Sequence, residues 1–235
     1  MTLEKFYKMF KQNITNPFVG LRAFEADEYN LFFGRKTQIQ EIIENLNQTN
    51  FSAVLGYSGS GKSSLIKSGI IPTLKKNTDE EWKIGICTPG YSPTKNLAKA
   101  LIDIYPESNK SSEKRIDEIT DILSEENSSL SNTLLKLNKN HSGNCLLIID
   151  QFEEIFSLSK SEDFKKSAHF VSLLLEAIKN KADNIYIILT LRSDFIGNCT
   201  EFTGLPEALN KSQYLIQRLR SKQFNEVKNE PLGED

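Results

Sequence analysis

Two stretches carry residues whose types and spacing do chemistry. Residues 56–63 read GYSGSGKS, and residues 146–154 read LLIIDQFEE. In the first, glycines let a short loop curl until successive backbone N–H groups point at phosphate oxygens, and the helix that follows adds the positive end of its dipole. Lys62 is spaced to reach β- and γ-phosphates and Ser63 to set its hydroxyl on Mg²⁺. The second stretch is a hydrocarbon run that breaks into three carboxylates. Asp150 suits the orienting of Mg²⁺ through its waters, and Glu153 and Glu154 are candidates for polarising the water that attacks a γ-phosphate.

The loop assigns Gly56, Tyr57, Ser58, Gly59, Ser60 and Gly61 as phosphate contacts, with Lys62, Ser63 and Ser64 at the start of the next helix. A helix beginning near Gln151 would bury Phe152, Ile155 and Phe156, leave Glu153 at the edge of that face and turn Glu154 away from it. That reading favours Glu154 as the acid on the water and leaves the other as an acid complementing the helix dipole. Arg192 ends an apolar run, TLRSD, where it either contacts the γ-phosphate or pairs with Asp150 or Glu154.

These residues need a scaffold. The candidate strands are 51–57, 83–88, 144–150, 184–192 and 214–219, separated by helical patterns at 62–76, 94–105, 113–138 with a break, 152–181 with a break, and 206–211. A helix over 36–47 with Ile39, Ile42, Ile43 and Leu46 on its inner face precedes them, and Leu3, Phe6, Tyr7 and Phe10 share a face of a helix over 1–12. The third and fourth strands are nearly continuous apolar runs, as parallel strands covered on both faces require. Strand and helix alternation predicts a three-layer α/β fold, a mainly parallel five-stranded sheet flanked by helices.

Bulk properties exclude several classes. With 29 basic and 31 acidic residues the formal charge is −2, so there is no global basic field for nucleic acid. Three separated cysteines without a C-x-x-C spacing indicate neither disulfides nor zinc and fit a reducing cytoplasm. No apolar run is long enough for a signal peptide or a membrane span, so no membrane role is expected. The two histidines, His141 and His169, read as surface or satisfied residues.

With those motifs in order, the sequence resembles the STAND class of P-loop ATPases, signal-transduction ATPases with numerous domains related to AAA+ and NACHT proteins. Within it the likeness is to the novel STAND NTPase group, often joined to C-terminal WD40 or other repeats. It is carried by NPFVGLRAF (16–24), LFFGRKTQIQEI (31–42), GYSGSGKSSLIKSGIIPTL (56–74), LLIIDQFEEIF (146–156), TLRSDFIGN (190–198) and GLPEALNKSQYLIQRL (204–219). The resemblance implies an ATP/ADP switch with Mg²⁺ that hydrolyses ATP slowly, self-associates through its ATPase domain and acts in signalling, bacterial defence among its settings. Alternatives are an AAA+-like motor or loader acting on protein or DNA, or a nucleotide-binding scaffold with negligible turnover. It also implies that residues 1–35 form a helix and an adenine-wrapping segment, with Val19, Gly20, Phe33, Gly34 and Arg35 as contacts, although those residues, like Arg22, could equally serve packing and turns. Residues 36–220 would be the NTPase core and 221–235 the start of a helical lid whose remainder, with winged-helix and sensor domains, is missing. Gln151 stands where many relatives carry the catalytic acid, which here moves on to Glu153 or Glu154.

Overall fold

In the computed structural model the described residues are 35–77, 81–106, 111–138, 143–157, 161–180 and 184–216. The helix predicted over 1–12, the segment with Val19, Gly20, Arg22, Phe33 and Gly34, and residues 217–235 lie outside them.

The chain enters through α1 (Lys36–Thr49), which buries Ile39, Ile42 and Leu46 on one stripe and stops at Asn50, a left-handed residue whose N–H returns to the Leu46 carbonyl. Strand β1 (Phe51–Gly56) leads to α2, an α-helical turn Lys62–Ser64, a π-helical stretch Leu65–Ile70 and an α-helical end Ile71–Asn77. Pro72 accounts for the widened stretch. Its ring crowds the carbonyl four residues back and it has no N–H to donate, so a wider turn ahead of it keeps the helix continuous.

Then come β2 (Trp82–Cys87), α3 (Pro93–Ile104), α4 (Ser112–Ser124), α5 (Leu130–Asn138) and β3 (Asn144–Ile149). A 3-10 segment (Phe152–Ser157), α6 (Ser161–Asn180), β4 (Ile185–Arg192) and a second 3-10 segment (Ser193–Glu201) follow. The described chain closes with α7 (Leu205–Ser212) and β5 (Gln213–Leu215). Within the described residues the predicted strands and helices are present in order. The departures are that 152–157 is 3-10 rather than α-helical, and that β5 is described over three residues.

All pairings are parallel and the strand order is β2-β3-β4-β1-β5. The step from β1 to β2 therefore runs across the sheet in one direction and every later step runs in the other. Right-handed crossovers then put α2 on one face and the later helices on the opposite face. The core divides accordingly. Val54, Leu146, Ile148 and Ile188 meet α1 and α2, while Ala53, Leu147, Ile149, Ile187 and Leu189 meet α3 to α7. Alternate residues of each apolar run thus serve two cores, which is why β1 and β3 are buried along their whole length.

Cys87, Cys145 and Cys199 are free and buried. Burial pushes the Cys145 thiol up to about 11 and those of Cys87 and Cys199 up to about 12, so all three stay protonated near neutral pH. His169 donates through Nε2 to the Leu123 carbonyl at the end of α4, a satisfied residue. Among the described residues no helix is long and apolar enough to cross a membrane.

One close approach makes the sheet and α3 interdependent. A Cβ at Gly85 of β2 would lie 2.5 Å from Ile104 Cδ1 and 2.9 Å from the Ala100 carbonyl oxygen. Because a backbone atom is among those met, the helix as a whole has to shift. Gly85→Val is expected to lower unfolding free energy by about 1–3 kcal/mol, the usual cost of overpacking. Urea denaturation with an unchanged slope checks it.

Candidate functional site

The carboxyl ends of β1, β4 and β3 set the site. Gly56 pairs in register with Arg192, and Ile149 with Leu189, so Asp150 leaves the sheet beside Thr190. The connections leaving β1 and β4 run to opposite faces, which opens a crevice between them where ligands of parallel sheets sit.

On one wall lies the loop 56–63. Gly59 and Gly61 have φ of +70° and +86°, left-handed values that favour glycine, and a Cβ at Gly59 would meet nothing within 4 Å. Tyr57, Ser58 and Gly59 are exposed, whereas Ser60, Gly61 and Ser63 are half-buried and Ser64 is buried. The Lys62 ammonium donates to the carbonyls of Gly56 (2.8 Å) and Tyr57 (3.0 Å), spanning the mouth of its own loop. Burial lowers its pKa from the ordinary lysine value, and the charges of Glu153 and then Asp150 pull it back up. Behind the loop, buried Arg35 donates to the Ser60 carbonyl (2.9 Å) and to Gln38 Oε1 (2.7 Å). Burial lowers the Arg35 pKa as well.

The opposite wall is organised by Asp150, only 8% exposed. Its Oδ1 accepts from Ser63 Oγ at 3.0 Å and from Thr190 Oγ1 at 2.7 Å. Gln151 N–H donates to Thr190 Oγ1 at 2.8 Å and lies 3.2 Å from the same Asp150 oxygen. One hydroxyl and one carboxylate in contact, both hard oxygen donors, fit a Mg²⁺ ion that completes its shell with phosphate oxygens and water. Among the described residues no group of three or more His, Cys, Asp or Glu could hold a metal by itself, so such an ion would depend on the nucleotide.

The backbone after Asp150 differs from the one the spacing predicts. Gln151 takes a left-handed φ of +56° and the next residues form a 3-10 turn, so α-helical facing does not apply to the two glutamates. Phe152 and Ile155 are buried as expected. The Glu153 carboxylate turns toward β4, where Oε2 accepts from the Arg192 N–H at 3.2 Å. Glu154 turns toward the loop after β2, with Oε2 3.7 Å from where a Cβ at Gly90 would sit. Glu153 therefore faces the strand end that carries Arg192, opposite to the sequence expectation.

Arg192 pairs with neither Asp150 nor Glu154. Its guanidinium forks onto Asp194, Nη2 to Oδ2 at 2.6 Å and Nε to Oδ1 at 3.2 Å, and rides over the Phe195 ring at 5.1 Å. That hydrogen bond raises the Arg192 pKa and lowers the Asp194 pKa. Phe195 in turn stacks on Phe156 at 5.8 Å, in the 3-10 segment that carries both glutamates.

Thr190 has no role in the sequence reading, yet it joins β4 to Asp150 and to the turn at Gln151. A signal was available: a hydroxyl inside the apolar run IYIILTLR, on a strand buried from both sides, has to find a partner.

The description Novel STAND NTPase 1 matches residues 17–234. Similar solved structures include the Aeropyrum pernix ORC1 protein in complex with DNA, 11% identical, TM-score 0.55, covering 87% of this chain and 51% of that one. The Aeropyrum pernix ORC2 protein in ADPNP–ADP complexes is 14% identical, TM-score 0.57, with 84% and 51% covered. The Walker-type ATPase PABY2304 of Pyrococcus abyssi is 15% identical, TM-score 0.54, with 89% and 60% covered. At these identities the likeness is one of fold, and this chain spans about half to three-fifths of the solved structures it matches. Among curated proteins none matches.

Replacing Thr190 by Val keeps the shape and removes the hydroxyl that serves Asp150 and Gln151. A loss of about 1–3 kcal/mol is expected from under-satisfied buried groups, with Thr190→Ser restoring most of it. Equal denaturation midpoints for the Val and Ser variants would show that the hydroxyl contributes nothing.

Proposed function

The chain belongs to the Novel STAND NTPase 1 family and is a P-loop NTPase of STAND/AAA+ type; from that membership we propose that it is an ATP/ADP-binding regulatory switch that turns ATP over slowly. The observation that carries this reading is the convergence of Lys62, the Ser63–Asp150 pair, Glu153 and Arg192 at the carboxyl ends of neighbouring strands. In the proposed mechanism the N–H groups of residues 56–63 cradle the phosphates. Lys62 trades its loop carbonyls for phosphate oxygens, so its charge, already favoured by Glu153 and Asp150, moves onto the ligand. Ser63 and Asp150 would hold Mg²⁺, which when bound neutralises charge on the β- and γ-oxygens.

Glu153 is the better candidate for polarising water, because its carboxylate is turned to the Arg192 end of β4, while Glu154 lies toward the β2 side. Arg35 steadies the loop from behind, and Val19, Gly20, Phe33 and Gly34, outside the described residues, are the proposed adenine contacts. Self-association through the ATPase face, and a role in defence signalling, follow from the family reading as its output and setting. So do the remaining boundaries: an N-terminal adenine-wrapping segment to residue 35, a core to 220, and a lid beginning at 221. The ORC likeness reaches only the fold, and a net charge of −2 offers no general nucleic-acid field, so DNA is not part of the proposal.

Steady-state assay of the purified chain tests the switch. ADP copurifying in stoichiometric amount, with turnover below about one per second, the low end of ordinary enzymes, supports it. Turnover of many per second would mean a motor-type enzyme instead. Lys62→Ala is expected to weaken ATP binding by about 10- to 100-fold, the worth of a charge-assisted hydrogen bond or two. Calorimetric titration with unchanged affinity would refute the phosphate site. Glu153→Gln keeps an acceptor for the Arg192 N–H but removes the charge, so it should retain bound ATP through gel filtration more completely than Glu154→Gln does.

A further inference from the structure

The Arg192–Asp194 pair stands at the mouth of the crevice and differs from an incidental surface ion pair in three ways. The guanidinium is held as a fork on both carboxylate oxygens and is seated over Phe195. Its backbone is fixed independently, through the N–H donated to Glu153. Asp194 also lies within the field of Lys62, so its charge belongs to the electrostatics of the phosphate site. Yet both side chains remain accessible, 38% and 44% exposed, so the pair can open without unpacking the core.

Asp194 occupies the Nε/Nη2 edge of the guanidinium, and that edge cannot at the same time be forked onto a terminal phosphate. We propose that Asp194 sets the discrimination between nucleoside triphosphate and diphosphate, by holding Arg192 against the pull of the terminal phosphate. This deepens the switch reading and rests on it. A triphosphate has to take Arg192 from Asp194, whereas a diphosphate has no terminal group at that point and leaves the pair closed. Asp194 thereby penalises the triphosphate state and leaves the diphosphate state untouched. When the guanidinium leaves it also uncovers Phe195, whose ring stacks on Phe156 in the segment bearing Glu153.

The test compares Mg-ADP with a magnesium complex of a non-hydrolysable ATP analogue by calorimetry, on the wild type, Asp194→Asn, Arg192→Ala and the double variant. Asp194→Asn is expected to tighten the analogue by about 2- to 5-fold, the range of an exposed ion pair, and to leave ADP unchanged. In the Arg192→Ala background the same substitution should have no effect, which separates competition for the guanidinium from the simple loss of a negative charge near a polyanion. An equal shift for both nucleotides, or an effect that survives without Arg192, overturns the inference while leaving the switch reading standing. A wild type that binds neither nucleotide overturns both. Should the Asn variant not fold, Asp194→Ser reads the same ratio.

Discussion

A carboxylate buried to within 8% of full enclosure has to be hydrogen-bonded, and Asp150 meets that demand with groups from three parts of the chain. Ser63 comes from the first turn of α2, Thr190 from the interior of β4, and the Gln151 N–H, through Thr190, from its own turn. Leaving a charged oxygen unpaired there would cost several kcal/mol, so the loop, the strand and the turn are held in one arrangement. The positions of Lys62, Glu153 and Arg192 all follow from that arrangement. Lys62 precedes Ser63, Glu153 follows the turn, and Arg192 lies two residues beyond Thr190.

The sheet makes this possible because its order separates the crossovers. With β1 lying between β4 and β5, the helix leaving β1 covers one face and the helices leaving the other strands cover the opposite one. The crevice between β1 and β4 is a consequence of right-handed connections acting on that order. The sheet beneath it is closely packed. β1 and β3 are buried along their length, and Gly85 lets α3 close onto β2 at a distance no side chain would allow.

At the mouth of the crevice the cations already have partners. Lys62 rests on carbonyls of its own loop and Arg192 on Asp194, each cation held by a protein acceptor at the place where phosphate oxygens would compete. A site whose cations are already engaged binds its ligand by substitution.

Much of the fold was legible in the residues, because the signals are local. Glycines at 56, 59 and 61 before Lys62 define a loop whatever surrounds it, apolar runs of five to eight residues define buried strands, and Ile39, Ile42 and Leu46 define a helix face. The finer chemistry was not legible, because it depends on backbone departures and on partners far away in sequence. A left-handed Gln151 and a 3-10 turn exchange the directions of Glu153 and Glu154, which helical spacing alone would set the other way. Thr190 gains its meaning from lying beside Asp150, forty residues earlier in the chain. Sequence by itself determined that the glycine loop 56–63 and the acids that follow the LLII run lie at the carboxyl ends of a parallel sheet. Only the tertiary structure decided that Glu153 turns to the Arg192 N–H and that Ser63 and Thr190 gather on Asp150, since a buried carboxylate draws its partners from separate elements.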